Sequence, residues 1–307
     1  MTEYNKTATL NELAHQSSTS ITHRHLLSVV NSLILTKFKK DNIRILDAGC
    51  GQARLLKYLH EYLPQFNPHT TFEIFGYDIS DHGVQEGSFF GEAITLLEKD
   101  FPNVNWQDRL KLIVSDDNWP FDNNFFDIVI SNQVLEHVWN HNFFFNENNR
   151  VLCEEGISIH LFPVKEVIMD GHIFLPFVHK FRSWDFTYKF IYFFSSLGIG
   201  KYKKELNIRE YTEAHTDYMF FFCNYPAYKY FARIVKQNGF RLTTRFCANF
   251  YKRKLNEVLG LKNNFIYDYS RSSSTLSFHF LKYVSSVTFI LEKKETYKKW
   301  LGSNKLI

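Results

Sequence analysis

The sequence predicts an α/β protein built on a doubly wound, mostly parallel sheet of seven strands, and three observations carry that expectation. Short apolar runs alternate with helical patterns from about residue 43 to 164, as expected of parallel strands joined by right-handed helical crossovers. The first strand runs straight into the small-residue turn Gly49-Cys50-Gly51, where a ligand can come close to the backbone. After 164 the alternation fails, and two further strand patterns follow late in the chain. A helical, aromatic insertion before the last two strands accounts for both facts.

Each element has its own signal. "SSTSITHRHLLSVVNSLILTKFKK" begins with good N-cap residues and places Leu26, Val30, Leu33 and Ile34 on one helical face. "IRILDAGCG" is a short apolar strand ending in small residues. "RLLKYLHEYLP" repeats apolar positions at 55, 56, 59 and 63, with Pro64 expected to stop the helix. "TFEIFGYDIS" (71–80) is a strand ending in an acid, and "GEAITLLEKDF" (91–101) a helix. "RLKLIVSDD" and "FFDIVIS" are strands, "FFFNENNRVLCEEG" a helix, and "ISIHLFPV" (157–164) the fifth strand. "GFRLTTRFC" (239–247) and "SSVTFILEK" (285–293) complete the count as a late hairpin. The expected divisions are N-terminal cap helices at 1–40, a ligand-binding core at 41–164, a covering insertion at 165–238 and sheet-completing strands at 239–307.

Composition narrows the function classes. Of 307 residues 45% are hydrophobic and 22% charged, as in an ordinary globular protein. The net charge of +4 falls well short of a dedicated nucleic-acid binder, so nucleic acid is not the expected partner. Basic runs at 201–204, 251–254 and 292–300 read first as solvated faces. "FIYFFSSLGIG" (190–200) is too short for a span, which needs about 20 apolar residues, though it leaves contact with a membrane surface open. The N-terminus lacks the pattern of a secretory signal. Cysteines at 50, 153, 223 and 247 show no paired or metal-like spacing, so reduced thiols and a cytoplasmic location are expected.

The turn at 49–54 discriminates between ligands. A dinucleotide fingerprint wants a small residue where Arg54 stands, and a pyrophosphate would be repelled by Asp47, two residues before Gly49. A cofactor with a cationic amino-acid tail and no phosphate suits the turn better. S-adenosyl-L-methionine is such a molecule. "ILDAGCGQA" resembles the first motif of class I S-adenosylmethionine-dependent methyltransferases, of the type 11-like branch, and three further motifs follow in order over 43–164. "FGYDIS" is similar to the second, whose acid (Asp78, followed by Ile79) holds the ribose hydroxyls in the family. "VSDDNWPFDNNFFDIVISNQVLEHV" resembles the third and fourth. There the resemblance implies that Asp116 or Asp117 meets the adenine amino group, the register being open because Ser115 precedes them, and that Asn132 lies beside the cofactor. In "NRVLCEEGISIHLFP" the usual Pro-Gly-Gly turn is replaced by Glu154-Glu155-Gly156. The implied fold is the Rossmann-like methyltransferase fold, and Asp47, Gly49 and Gly51 complete the implied cofactor set.

Transfer of a methyl group to a hydroxyl needs a placed nucleophile and a base. His137 in "LEHV" follows the fourth strand; His172 and His179 in "GHIFLPFVHKF" lie in the insertion. All three are candidate bases. His137 and His141 are four apart, a spacing that would suit a metal on one helical face, but with no third ligand evident no metal is expected. "FPVKEVIMDGHIFLPFVHKF" is loosely similar to segments of bacterial cell-surface polysaccharide methyltransferases. Phe174, Phe177, Trp184 and Tyr188 could stack on sugar faces or form the insertion's own core. The expected activity is O-methylation of a sugar, a glycan or another hydroxylated small molecule. Alternatives are a lipid-soluble, quinone-like acceptor, RNA or protein, and a catalytically silent cofactor-binding regulator.

Overall fold

A computed structural model describes residues 3–18, 20–80, 89–202, 207–268 and 275–294. Two helices, α1 (Glu3–Gln16) and α2 (Ile21–Lys37), precede β1 (Asn42–Ala48), α3 (Arg54–Phe66) and β2 (Thr71–Ile79). Then come α4 (Phe89–Asp100), the single turn α5 (Trp106–Arg109), β3 (Leu110–Ile113), β4 (Phe126–Asn132), α6 (His141–Val151) and β5 (Leu152–Phe162). The insertion carries α7 (Trp184–Ser196), α8 (Ile208–Phe221) and α9 (Tyr228–Gln237). The chain then forms β6 (Phe240–Thr243), α10 (Cys247–Val258), α11 (Thr275–Leu281) and β7 (Val287–Lys293).

The seven strands form one sheet in the order β3-β2-β1-β4-β5-β7-β6. The first five pair in parallel, and β7 lies antiparallel to both β5 and β6. The last two strands are therefore neighbours, as expected of a hairpin, but α10 and α11 separate them along the chain. Successive side chains of a strand point to opposite faces, so the sheet has a core on each side. Ile45, Ile128 and Ile130 face a layer made by α2, α3 and α10. Leu46, Val129 and Phe126 face α6 and α9. A third cluster, including Val167, Ile173, Ile191 and Met219, lies within the insertion.

Three local expectations change. Pro64 does not stop α3, which continues to Phe66. Proline cannot donate the bond to His60 O that residue 64 would otherwise make, but only that bond is lost, and Asn67 N–H still closes onto Leu63 O at 2.9 Å. β5 starts at Leu152 rather than 157, because Phe126 pairs with Leu152 before the register shifts to Ile128 and Ile157. Residues 153–155 bulge, with Glu154 and Glu155 exposed, and a Cβ on Gly156 would come within 2.7 Å of Leu152. Finally, α2 is buried all round from Arg24 to Ile34. Its polar face is satisfied from within: His25 lies between Tyr267 and Thr288, each at 2.9 Å, and Ser28 Oγ accepts from buried Arg253.

Among the described residues no helix is long and apolar enough to cross a membrane. The basic runs at 201–204 and 292–300 lie partly outside the described residues. That at 251–254 is half turned inward, with Arg253 buried and Lys254 Nζ donating to Ser285 Oγ at 3.0 Å.

Candidate active site

Beyond Ala48 the chain reverses through Gly49 (φ 78°), Gly51 (φ 52°) and Ala53 (φ 54°), all left-handed. A Cβ on Gly49 would fall 2.6 Å from Val134 Cγ2, so the turn after β4 closes tightly over it. The N–H groups of Gly49 and Cys50 both donate to Tyr77 O at 2.9 Å, which ties the turn to the end of β2. The next residue of β2 is Asp78. One carboxylate oxygen accepts from Gly51 N–H, the other from Ile79 N–H at 2.8 Å. α3 then starts from Ala53 with no side-chain cap, leaving its first-turn N–H groups to the turn and the crevice.

A cavity of about 900 Å³ opens there, at the carboxyl ends of β1, β2 and β4. All eight residues expected at the cofactor border it: Asp47, Gly49, Gly51, Asp78, Ile79, Asp116, Asp117 and Asn132. Ser115 borders it too, so the turn brings both acids of the open register to the same wall. Asp47 is buried, and among the described residues neither of its carboxylate oxygens has a hydrogen-bond partner. Burial first, and the nearby Asp78 charge second, push its carboxyl well above the usual range. Such a group lacks a cation. The ammonium of an amino-acid cofactor would supply one, whereas a pyrophosphate would add like charge. Asn132 Oδ1 is likewise buried and without a partner among the described residues. Trp119, packed 4.7 Å from the Tyr77 ring, and His23 of α2 also line the cavity. Sequence reasoning missed both.

At the opposite wall the turn at 135–137 and the insertion meet. His137 and His172 both border the cavity, their ring centroids 5.3 Å apart and edge-on. His137 Nδ1 lies 2.7 Å from Phe222 O, an acceptor only, so Nδ1 carries the proton and Nε2 the lone pair. His172 is fixed similarly. The Tyr225 hydroxyl donates to Asp170 Oδ2 at 2.7 Å and therefore accepts from His172 Nδ1, 2.9 Å away. Asp170 is fully buried and also accepts the N–H groups of His172 and Ile173, at 2.8 and 3.0 Å. Although burial opposes ionisation, the bonds from His172 and Tyr225 prevail and hold its carboxyl below the usual range, at about 2. Tyr218 of α8 stands 5.2 Å from the His172 ring.

His179 is not brought to the cavity. Its Nε2 lies 3.3 Å from Lys165 O, and its ring packs 4.6 Å from Tyr225, behind the pair. His141 shares no helix with His137: it opens α6, buried, with Nε2 2.8 Å from Leu135 O. The aromatic residues singled out in the insertion also lie elsewhere. Phe174 and Phe177 are half exposed, and Trp184 stacks on Tyr188 and donates to Asp217 at 2.7 Å. Trp139, Phe143, Phe144, Phe221 and Phe222 line the cavity instead. Glu136, next to His137 in the chain, is buried with no partner for either oxygen among the described residues, and burial raises its carboxyl to about 8.

Residues 46–160 match the family model of a methyltransferase domain, a stretch reaching from β1 through the Gly turn, Asp78 and His137 into β5. No curated protein matches the chain. Among solved structures it is similar to the YcgJ protein from Bacillus subtilis, at 12% identity and a TM-score of 0.43 over 88% of this chain and 99% of that one. A second is geranyl diphosphate C-methyltransferase from Streptomyces coelicolor A3(2), at 13% identity and 0.44 over 87% and 80%. A third is an S-adenosylmethionine-dependent methyltransferase from Mesorhizobium loti, at 11% and 0.46 over 85% and 95%. The strand order with its antiparallel β7 is the Rossmann-like methyltransferase fold.

Proposed function

We propose that this chain, whose residues 46–160 match a methyltransferase-domain model, uses S-adenosylmethionine to methylate a hydroxyl oxygen of a sugar, a glycan or another hydroxylated small molecule. The observation that carries the finer reading is the imidazole pair His137 and His172 on the cavity wall, each ring anchored through Nδ1. Asp47 would hold the cofactor's ammonium group, Asp78 its ribose diol, and Asp116 or Asp117 its adenine amino group. When bound, the cofactor supplies an electrophilic methyl carbon on a sulfonium.

What the chain must add is placement and a proton acceptor. A neutral alcohol is a poor nucleophile, and proton removal by a positioned base contributes about 10²–10⁴-fold. His172 is the better placed base, because Tyr225 and Asp170 hold its ring through Nδ1. His137, beside it, orients the hydroxyl. Trp139, Phe143 and Phe221 add apolar surface to the cavity lining, against which a substrate ring can pack.

Methyl-labelled cofactor incubated with fractionated glycans and hydroxylated small molecules tests this. Label is expected in a base-stable methyl ether. His172→Asn is expected to lower turnover by about 10² or more while leaving calorimetric cofactor affinity unchanged. Label in RNA, protein or a quinone, full activity of the variant, or cofactor binding with no transfer would each overturn it.

A further inference from the structure

The same wall offers a second chemistry. Glu136, His137 and His172 each present one ligating atom, and these atoms all lie within 4.8 Å of one another. Two imidazoles and a carboxylate are the donor set of catalytic zinc sites, with metal–ligand bonds of about 2.0–2.2 Å. In a tetrahedron of that size the ligating atoms stand roughly 3.4 Å apart, within reach of small side-chain rotations.

Two further observations point to a cation. Glu136 is fully buried, yet neither carboxylate oxygen has a hydrogen-bond partner among the described residues. A buried acid of this kind is costly unless something positive or hydrogen-donating meets it. The imidazoles are also held as metal-ligating histidines usually are, by the other ring N–H donating to a carbonyl or to a polar network ending in a carboxylate. His137 Nδ1 bonds Phe222 O, and His172 Nδ1 bonds Tyr225, which bonds Asp170. Each ring is thus anchored through Nδ1 while the two side chains stand beside Glu136.

We infer that Glu136, His137 and His172 form a site for one divalent transition-metal ion of the zinc class, and that its occupancy silences the imidazole base. The inhibitory part rests on the proposed role of His172, since a coordinated Nε2 has no lone pair left for a proton. The binding part does not. Imidazole ligands select against magnesium and calcium, which take oxygen donors.

The test uses the full chain, stripped with chelator and then titrated with Zn²⁺ and with Co²⁺. One ion per chain is expected, with visible Co²⁺ absorption of a nitrogen-oxygen site. Glu136→Gln keeps the shape and removes the charge, and is expected to weaken binding by about a hundredfold. Tyr225→Phe removes the hydroxyl that accepts from His172 Nδ1 and is expected to cost about tenfold or more. His172→Asn should abolish the absorption. Zn²⁺ is expected to inhibit methyl transfer at the concentration at which it binds. Failure to retain zinc at micromolar concentrations, or an unchanged Co²⁺ spectrum in Glu136→Gln and His172→Asn, overturns the site. Methyl ether formation in chelator together with absent zinc binding sinks this inference and leaves the O-methylation reading standing. Zinc binding without any methyl transfer supports the site and sinks that reading.

Discussion

Gly49 and Gly51 are equally small and two residues apart, but they are glycines for different reasons. Both have positive φ, which costs a non-glycine residue roughly 1–2 kcal/mol. Only at Gly49 is there also no room, since its Cβ would sit 2.6 Å from Val134 Cγ2, whereas at Gly51 the nearest atom is 3.9 Å away. Gly49→Ala is therefore expected to lose about 3 kcal/mol in urea unfolding, combining the backbone cost with overpacking. Gly51→Ala should lose about 1 kcal/mol. Equal losses would show that Val134 yields freely. This glycine pair, Asp78 and the unbonded acid Asp47 were legible in the sequence because a turn and its flanking strands are local. The His172 arrangement was legible only by half. "MDGH" displays the acid and the imidazole two residues apart, but Tyr225, which joins them, lies 53 residues beyond His172. Glu136 was adjacent to a candidate histidine, yet burial without a partner is not written in sequence.

β4, β5 and α6 meet at one side chain that the sequence shows only as a polar letter in an apolar run. His160 of β5 is buried, with Nδ1 2.7 Å from Ser131 Oγ and Nε2 within 2.7 and 2.9 Å of Ser158 Oγ and Asn148 Nδ2. Burial lowers its pKa from 6.5 to about 3. Below pH 6.5 the unfolded chain takes up a proton that the folded chain refuses. The histidine's contribution is thus intact above 6.5 and falls by about 1.4 kcal/mol per pH unit as acid is added, until pH reaches about 3. His160→Gln, which retains an amide for the serines, removes that dependence. The stability difference between wild type and variant is expected to shift by about 2 kcal/mol toward the variant between pH 7 and pH 5. A difference independent of pH would mean that His160 is not held neutral. The same elements show why boundaries were harder to foresee than elements. The apolar period revealed β5, but its early start depends on Leu152 pairing with Phe126 across a bulge, a fact of tertiary register.

The molecule as a whole keeps its two chemistries on separately built supports. The alternation of strand and helix announced the sheet, because parallel strands buried on both faces read as short apolar runs. The insertion announced itself only as a failure of that pattern, since α7 and α8 pack on one another while α9 returns to the sheet face. Its core of Val167, Ile173, Ile191, Tyr211, Met219 and Tyr225 is distinct from the clusters on the two sheet faces. Tyr225 belongs to this core and also holds His172, so the insertion's packing bears on the placement of that ring. Asp47, Asp78 and the Gly turn depend on the sheet. Ile191→Ala, at a fully buried position, is expected to cost the insertion about 2–5 kcal/mol of local stability. Turnover should fall and the acceptor KM rise, while calorimetric cofactor affinity stays within about twofold. Hydrogen exchange should quicken in α7 and α8 and stay slow in β1 and β4. A parallel loss of cofactor affinity would show that the insertion and the sheet fold as one cooperative unit, and that the donor and acceptor walls are set together.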